Sequence, residues 1–316
     1  MPTFVTPSGV ELAWEEFPGE GPTIVLIMGL GAQMVWWPDG FCRHMSARGF
    51  RVIRFDNRDV GLSSCLSILK PPSLWDIARG ALLGHRIHAP YDLEDMAEDV
   101  VHLLDHLQVP RAHIVGTSMG GMIAQLVALN HPARVWSLTS MMSHTGDVRI
   151  SRPSLRTMLA LIRPLGATRK AVIQNTTRVA EVLGTTAPVD LDWTRRTAAR
   201  SYDRCAPDSA AIFRQMGAVY ASVDRTARLK HMRIPTLVIH GGRDTAVPVA
   251  AGQATARVIP LAKFMVFRDM GHELPRRYWA RILRSITQHA ASAMIAERDR
   301  RAARRVGGLP LRPRVN

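Results

Sequence analysis

A serine flanked by glycines, between two apolar segments, most constrains what this chain can fold into. Residues 116–121 read Gly-Thr-Ser-Met-Gly-Gly, after the strand-like residues 112–115 and before the mostly apolar residues 122–129, which predict a buried helix. A serine on so sharp a strand-to-helix turn needs neighbours without side chains, and the first and fifth residues of the motif are glycines. Such a turn also aims the first amides of the helix at the serine hydroxyl. The setting predicts that Ser118 is a catalytic nucleophile.

Two alternatives to a catalytic serine have weaker support. A glycine-rich turn of a dinucleotide-binding fold would carry the spacing Gly-x-Gly-x-x-Gly, which residues 116–121 lack. A cysteine nucleophile is disfavoured because none of the three cysteines, Cys42, Cys65 and Cys205, lies on such a turn. Their odd number and spacing match neither a disulfide framework nor a metal site and predict buried thiols in a reducing cytoplasm. The sequence therefore predicts no metal ion and no cofactor.

A base and a carboxylate are needed to activate a serine hydroxyl, and two later segments supply them. The strand-like residues 234–240 lead into a turn that carries Asp244, and residues 263–267 lead into a loop that carries His272. Catalytic groups of parallel sheets gather at the carboxyl ends of the strands, so both side chains should converge on the serine. We predict Asp244 as the orienting acid and His272 as the general base. Asp269 is a second candidate acid, disfavoured because it stands only three residues before the histidine.

These segments resemble the α/β-hydrolase superfamily, in which nucleophile, acid and histidine follow in this order along the chain. The resemblance runs from about residue 3 to residue 296. Residues 24–31 look like the family's strand and oxyanion loop, and residues 56–63 are similar to its Asp-x-Arg-Gly-x-Gly-x-Ser segment. Met28 stands where most members have histidine, and Asp59 where most have glycine. Both variants look like the subgroup of aclacinomycin methylesterases and related actinobacterial lipase-esterases.

The resemblance implies an oxyanion hole formed by the backbone N–H groups of Leu30 and Met119. Because these donors are amides, the methionine in the oxyanion loop does not remove them. It also implies the α/β-hydrolase fold, with a mostly parallel eight-stranded sheet flanked by helices and a helical cap insertion. Members of the superfamily that act as dehalogenases or epoxide hydrolases need aspartate at the position of Ser118, so these activities are disfavoured.

The pattern of strands and helices supports this α/β organisation. Asp92 is the predicted N-cap of an amphipathic helix. Strands are predicted near residues 3–6, 10–17, 23–28, 51–55, 112–117, 135–141, 234–240 and 263–267. Between about 147 and 233 the strand pattern disappears, and prolines interrupt short helical stretches. We therefore predict a hydrolase core of residues 1–146 and 234–296, a helical cap of residues 147–233, and a basic, disordered tail of residues 297–316.

The charge of the chain is strongly positive but unevenly distributed. The formal net charge is +15, and residues 147–233 hold 16 basic against seven acidic side chains. Residues 297–316 hold seven arginines and two acids. This excess is consistent with a solvated surface or with weak attraction to anionic membrane surfaces or acidic substrates. No recognition motif or series of stacking aromatics supports nucleic-acid binding.

The first residues and the apolar runs bear on localisation. The N-terminus lacks the order of a signal peptide, and the longest apolar runs, about ten residues, are too short to span a bilayer. We therefore expect a cytoplasmic protein.

The residues after the oxyanion loop and near the cap predict an apolar substrate pocket. Met34, Trp36 and Met142 are the predicted substrate-binding residues, and methionine suits adaptable apolar surfaces. The expected function is a serine carboxylic ester hydrolase acting on a hydrophobic ester through an acyl-enzyme. A hydrolase of carbon–carbon bonds or a cofactor-free perhydrolase could use the same triad. A non-catalytic ligand-binding homologue is disfavoured because no triad member is missing.

Overall fold

Eight β-strands form one sheet through the centre of the molecule. The computed structural model describes residues 1–84, 86–163, 166–184 and 190–307. The strands are β1 Thr3–Val5, β2 Glu11–Phe17, β3 Thr23–Ile27, β4 Arg51–Phe55, β5 Ala112–Thr117, β6 Val135–Met141, β7 Thr236–Gly241 and β8 Lys263–Phe267. Their order across the sheet is β1-β2-β4-β3-β5-β6-β7-β8. Only the β1–β2 and β2–β4 pairs are antiparallel, so the predicted, mostly parallel eight-stranded sheet is confirmed.

Helices connect the strands and cover both faces of the sheet. Those in the described residues are α1 Asp39–Ser46, α2 Leu74–Leu83, α3 Leu93–His106, α4 Met119–Asn130, α5 Leu155–Leu161, α6 Arg169–Leu183, α7 Leu191–Arg204, α8 Ser209–Ala221, α9 Thr226–Leu229, α10 Val249–Val258 and α11 Trp279–Gly307. Short 3-10 turns lie at Met34–Trp36, Pro132–Arg134 and Arg276–Tyr278. Within the described ranges, no helix is both long and apolar enough to cross a membrane.

Alternate residues of the central strand β3 face two separate hydrophobic cores. Val25 and Ile27 pack with buried residues of α3 and α4, whereas Ile24 and Leu26 pack with residues of α1 and α11. Side chains of a strand point alternately to the two faces of the sheet, so a strand covered on both faces must be buried at every position. All five residues of β3 are buried. The continuous apolar runs of the sequence therefore mark the centre of the sheet.

Helix α3 begins where the sequence predicts, at Asp92. The Asp92 carboxylate accepts hydrogen bonds from the amides of Glu94 and Asp95, at 2.8 and 3.2 Å, and the Asp95 carboxylate accepts one from the Asp92 amide at 2.8 Å. This reciprocal capping box satisfies amides that have no partner within the helix. The apolar face of α3, which includes Met96 and Val100, is buried against the sheet.

The segment between β6 and β7, residues 147–233, is called the helical insertion below. It contains helices α5 to α9 and no strand among its described residues, in agreement with the helical pattern of its sequence. Dividing it from the core as a separate cap domain remains a proposal. Its helix α8 is attached to the core through buried polar side chains as well as apolar contacts.

Asp59 forms the centre of one of these buried attachments. Its backbone has a φ of +66°, a left-handed conformation that glycine adopts more readily than a residue with a side chain. Both carboxylate oxygens accept hydrogen bonds from the Arg214 guanidinium of α8, at 2.8 Å each. The hydroxyl of Tyr91 and the amide of Leu66 donate to the same carboxylate at 2.8 and 2.7 Å. Asp59 of the core and Arg214 of the helical insertion therefore form a buried ion pair.

The C-terminal region differs from the sequence-based expectation. A disordered tail is predicted from residue 297, but α11 continues to Gly307. Arginine, alanine and glutamate are good helix formers, and extending an existing helix costs far less than starting one. The Arg111 guanidinium also lies 3.4 Å from the Glu297 carboxylate. Residues 297–307 are therefore helical in the structure, and the predicted disorder of residues 308–316 falls outside the described part of the chain.

Replacing Arg214 with methionine should strongly destabilise the protein. The change leaves the Asp59 carboxylate buried without its cation, and breaking a buried pair in this way typically costs about 3–5 kcal/mol of unfolding free energy. Chemical denaturation monitored by circular dichroism measures the loss. The double variant Asp59→Gly/Arg214→Met should recover part of it, because glycine accepts the positive φ and leaves no unpaired charge.

A matched control for this prediction is the exposed pair of Arg169 and Asp203. Its two nitrogen–oxygen distances of 2.7 and 2.9 Å resemble those of the buried pair, but its side chains are 51% and 55% exposed. Arg169→Met should therefore cost less than about 1 kcal/mol. Equal losses for the exposed and buried arginine variants would contradict the structural role assigned to Asp59.

Candidate active site

Ser118 lies on a strained turn between β5 and α4. Its φ of 55° and ψ of −123° are rarely adopted by a residue with a side chain, and its amide donates a 2.8 Å hydrogen bond to the carbonyl of Met141 on β6. The backbones on either side leave no room for side chains. A Cβ added to Gly116 would lie 2.0 Å from the carbonyl oxygen of Gly120, and one added to Gly120 would lie 2.3 Å from that of Ile27. Close backbone packing therefore holds the serine in this conformation.

The carboxylate of Asp244 and the ring of His272 are in direct contact. The aspartate follows β7 and the histidine follows β8, and the His272 Nδ1 to Asp244 Oδ2 distance is 2.7 Å. The other carboxylate oxygen accepts the amides of Ala246 and Val247, at 2.9 and 2.8 Å. The aspartate side chain has no solvent exposure. The carboxylate is therefore fixed, and its bond to Nδ1 leaves Nε2 as the nitrogen available for proton transfer.

Asp269, the second candidate acid, lies away from this pair. Its side chain is 64% exposed, and one of its carboxylate oxygens lies 3.9 Å from the Arg243 guanidinium. Its backbone carbonyl accepts a hydrogen bond from Arg277. Geometry therefore favours Asp244 over Asp269 as the partner of His272.

Three neighbouring histidines differ in their electrostatic settings. Burial lowers the pKa of His272, but the charge of Asp244 and its hydrogen bond outweigh that effect, and the net pKa is raised. Burial lowers the pKa of His240, whose Nε2 lies 2.9 Å from the Val247 carbonyl oxygen. Burial, with the nearby guanidinium of Arg225, lowers the pKa of His144 to about 3. Of these three rings, only that of His272 has a raised pKa, because only its ring forms a short hydrogen bond with a carboxylate.

A cavity of about 1030 Å³ lies between the carboxyl ends of the strands and the helical insertion. Both Ser118 and His272 line it, as do the two predicted oxyanion-hole residues, Leu30 and Met119. Neither the Leu30 amide nor the Met119 amide donates a hydrogen bond to another described group. Both amides are therefore available to a ligand.

The predicted substrate-binding residues are not all at the cavity. Trp36 and Met142 line it, and the Trp36 ring packs edge-on against Trp193 of α7 with 5.4 Å between centroids. Met34 does not line it. Its side chain is fully buried beside Ala13 and Val35, and its amide donates a 2.6 Å hydrogen bond to the Asp56 carboxylate. A 3-10 turn has three residues per turn, so its successive side chains point in different directions. The structure places Met34 in the core, and its predicted contact with substrate has no support from the cavity lining.

Further cavity residues come from the end of β6, from the connection after it and from helices of the insertion. The aromatic and methionine side chains that the sequence places near the cap are among them: Met141, Trp193, Tyr202, Met216 and Tyr220. His144 also lines the cavity and has no distinctive sequence signal. Within the described ranges, no group of three or more His, Cys, Asp or Glu side chains could hold a metal ion.

Comparison with known proteins assigns the family. A model of the alpha/beta hydrolase fold matches residues 22–275. The chain belongs to the α/β-hydrolase family. It is 29% identical over 318 residues to rhodomycin D methylesterase DauP of Streptomyces sp. (strain C5), an alignment that covers 93% of this chain and all of that protein.

Two further similarities agree with this assignment. The chain is 29% identical to 2-hydroxy-6-oxononadienedioate/2-hydroxy-6-oxononatrienedioate hydrolase 2 of Pseudomonas putida, over 80% of this chain and 82% of that protein. The solved structure of an esterase (EaEST) from Exiguobacterium antarcticum superposes with a TM-score of 0.71 at 17% identity, over 92% of this chain and 98% of that one. The structural match supports the fold, and the family and its members support a hydrolase that acts on small molecules.

The ring of His272 should titrate above the ordinary histidine value of 6.5. Replacing Asp244 with asparagine removes the charge that stabilises the imidazolium, so burial dominates and the pKa should fall below that value. NMR of histidine ring signals across a pH series measures both. His144 is the internal control, because its ring should stay neutral down to about pH 3. A value below 6.5 for His272 in the unaltered protein would contradict this account.

Proposed function

We propose that the protein is a serine carboxylic ester hydrolase that acts on a hydrophobic ester through an acyl-enzyme. The 2.7 Å contact between His272 and Asp244, at the cavity lined by the strained Ser118, is the observation that supports this proposal most strongly. A serine, a histidine and a carboxylate with these roles are the groups that activate a hydroxyl for acyl transfer.

In the proposed first half-reaction, the Ser118 hydroxyl oxygen adds to the ester carbonyl carbon. Its proton passes to Nε2 of His272, and the carbonyl oxygen becomes an oxyanion. The tetrahedral intermediate then collapses and the bond to the alkoxy oxygen breaks. The alcohol leaves with the proton held by His272, and the acyl group stays on the serine. Asp244 holds the ring tautomer and stabilises the imidazolium throughout.

In the second half-reaction, water replaces the alcohol. His272 takes a proton from the water as the water oxygen adds to the acyl carbon. The second tetrahedral intermediate then collapses, the bond from the acyl carbon to the Ser118 oxygen breaks, and His272 returns the proton to that oxygen as the acid leaves. The backbone amides of Leu30 and Met119 hold the oxyanion in both halves. Preorganised donors of this kind are worth about 3–4 kcal/mol each in the transition state.

The cavity supports a bulky, apolar substrate. Its volume of about 1030 Å³ exceeds the needs of a small ester, and Trp36, Met142 and Trp193 contribute apolar or aromatic lining. The similarity to a rhodomycin D methylesterase makes a methyl ester of a large acid a specific substrate to test.

A hydrolase of carbon–carbon bonds is the second candidate function. The similarity to the Pseudomonas putida dienedioate hydrolase favours it, because the same triad serves both proposals. Assaying one protein preparation with a methyl ester and with a vinylogous diketone separates the two, since only the preferred class should turn over at a useful rate.

Removing either reacting side chain should abolish turnover without unfolding the protein. Ser118→Ala lacks the nucleophile and His272→Ala lacks the base, so kcat should fall roughly 10⁴-fold or more. Hydrolysis of a p-nitrophenyl ester measures the loss, and labelling by a fluorophosphonate should occur in the unaltered protein and be absent in Ser118→Ala. A folded Ser118→Ala protein with near-normal turnover would refute the proposed nucleophile.

The two aspartates near the histidine provide a matched comparison for the acid. Asp244→Asn should lower kcat far more than Asp269→Asn, because the first contacts the His272 ring and the second is exposed to solvent. The opposite ranking would identify Asp269 as the orienting acid.

The apolar cavity should make turnover depend on the length of the acyl chain. Each added methylene that is buried contributes about 0.8 kcal/mol, or about a fourfold rise in kcat/KM per carbon until the cavity is filled. A series of p-nitrophenyl esters measures this slope. Trp36→Leu should flatten it because Trp36 lines the cavity, whereas Met34→Leu, in the core, should not. A slope near zero in the unaltered protein would exclude acyl-chain binding in this cavity.

A further inference from the structure

The two central residues of a β-turn carry the predicted oxyanion donor of the loop after β3. The amide of Ala32 donates to the carbonyl of Gly29 at 3.3 Å, so Leu30 and Gly31 occupy the middle of the turn. Gly31 has a φ of +65°, which a type II turn requires at this position. The peptide between Leu30 and Gly31 is the unit that would rotate if the turn changed type. The Leu30 N–H belongs to the preceding peptide, and the two peptides share the Cα of Leu30. Fixing the Leu30–Gly31 peptide therefore restrains the preceding one through the backbone angles of Leu30.

A side chain of the helical insertion holds this peptide. The N–H of Gly31 donates a 2.8 Å hydrogen bond to Oε1 of Gln215, which lies on α8, and Nε2 of Gln215 donates a 2.7 Å bond to the carbonyl of Arg58. Both partners are backbone groups with fixed roles, so the orientation of the glutamine amide is unambiguous. Gln215 has no solvent exposure. The glutamine side of this bond is thus shielded from water, whereas Gly31 lines the cavity.

The neighbours of Gln215 on α8 fix the helix against the same region. A Cβ at Gly31 would lie 3.3 Å from the Ile212 side chain, so α8 also covers the turn by direct packing. The adjacent residue, Arg214, forms the buried ion pair with Asp59. Arg214 of α8 therefore binds Asp59 of the core, and the next residue, Gln215, binds the carbonyl of Arg58. Gln215 also binds the Gly31 amide of the oxyanion loop.

We propose that Gln215 is a positioning residue for the oxyanion hole. By holding the Gly31 N–H, it restrains the neighbouring peptide, whose Leu30 N–H is the proposed oxyanion donor. The helical insertion then contributes to the chemical step as well as to the shape of the cavity. This inference rests on the proposed function, because it assigns the Leu30 amide to the oxyanion.

The test compares Gln215→Met with Tyr91→Phe. Methionine keeps the length and the helix propensity of glutamine but cannot accept the Gly31 hydrogen bond. Tyr91→Phe removes one buried hydrogen bond from the adjoining Asp59 network and does not touch the oxyanion loop. Gln215→Met should lower kcat about tenfold to a hundredfold with KM within about threefold, because the lost orientation matters in the transition state. Tyr91→Phe should leave kcat within about twofold even if it lowers the melting temperature.

A second measurement separates a positioning role from a general loss of structure in the active site. A trifluoromethyl ketone forms an oxyanion on the serine, so Gln215→Met should weaken its inhibition by the same factor as kcat/KM, while inhibition by a carboxylic acid product stays unchanged. If Gln215→Met does not fold, Gln215→Leu carries the test. Leucine also lacks an acceptor for the Gly31 N–H and is a good helix former. We expect a fall in kcat similar to that of Gln215→Met, matched by the fall in ketone affinity.

The outcomes distinguish this inference from the proposed function. Normal kcat and normal ketone affinity in folded Gln215→Met or Gln215→Leu would overturn the positioning role while the unaltered protein still reacts with a fluorophosphonate. Equal losses in ketone and product affinity would also overturn it, since they indicate a merely structural effect. Failure of the unaltered protein to react with the fluorophosphonate would instead refute the nucleophile.

Discussion

The close packing of α4 against the backbone of the central strands is the constraint on which the site depends. No side chain fits at Gly116 or Gly120, because each would overlap a carbonyl oxygen of a neighbouring segment. This contact lets the chain reverse from β5 into α4 within one residue, and Ser118 carries the strain as a positive φ. The strain is sustained because the strands on both sides and the buried helix leave the backbone no other position. The location of the serine is thus a consequence of the sheet and not of the loop alone.

The features that could be predicted from sequence are those whose signals are local. Every predicted strand is present. The inner strands β3 to β7 could be predicted because they are mostly apolar runs of five to seven residues, which indicate burial directly. The capping box at Asp92 and the glycines around Ser118 are also short-range patterns. Asp244 and His272 could be placed because each follows a strand, and the carboxyl ends of parallel strands meet at one edge. Their 2.7 Å contact follows from topology, although they are 28 residues apart in sequence.

The features that could not be predicted depend on contacts between distant residues, on the side-chain directions within a short turn, or on how far a helix extends. Gln215 and Gly31 are separated by 184 positions, and no single-sequence pattern links them. One signal was present: Arg214 and Gln215 interrupt the otherwise apolar sequence of α8, and buried polar residues on such a helix require partners. Met34 is a local case that the sequence also leaves undecided. The geometry of a 3-10 turn determines which of several adjacent apolar residues faces the core. The extent of α11 depends on propagation from a packed helix, which composition alone does not reveal.

The basic character of the helical insertion has a structural component that a charge count cannot detect. Arg204 binds Asp56 at 2.8 Å, Arg214 binds Asp59, and the buried Arg225 donates to the His144 carbonyl at 3.0 Å. An apolar helix face can shift on an apolar core at modest cost, whereas a buried guanidinium must meet its own acceptor. These arginines therefore restrict the insertion to one arrangement on the core. That same arrangement brings α8 to the oxyanion loop and α7 to Trp36, so the contacts that orient the insertion also define the cavity in which the ester is proposed to react.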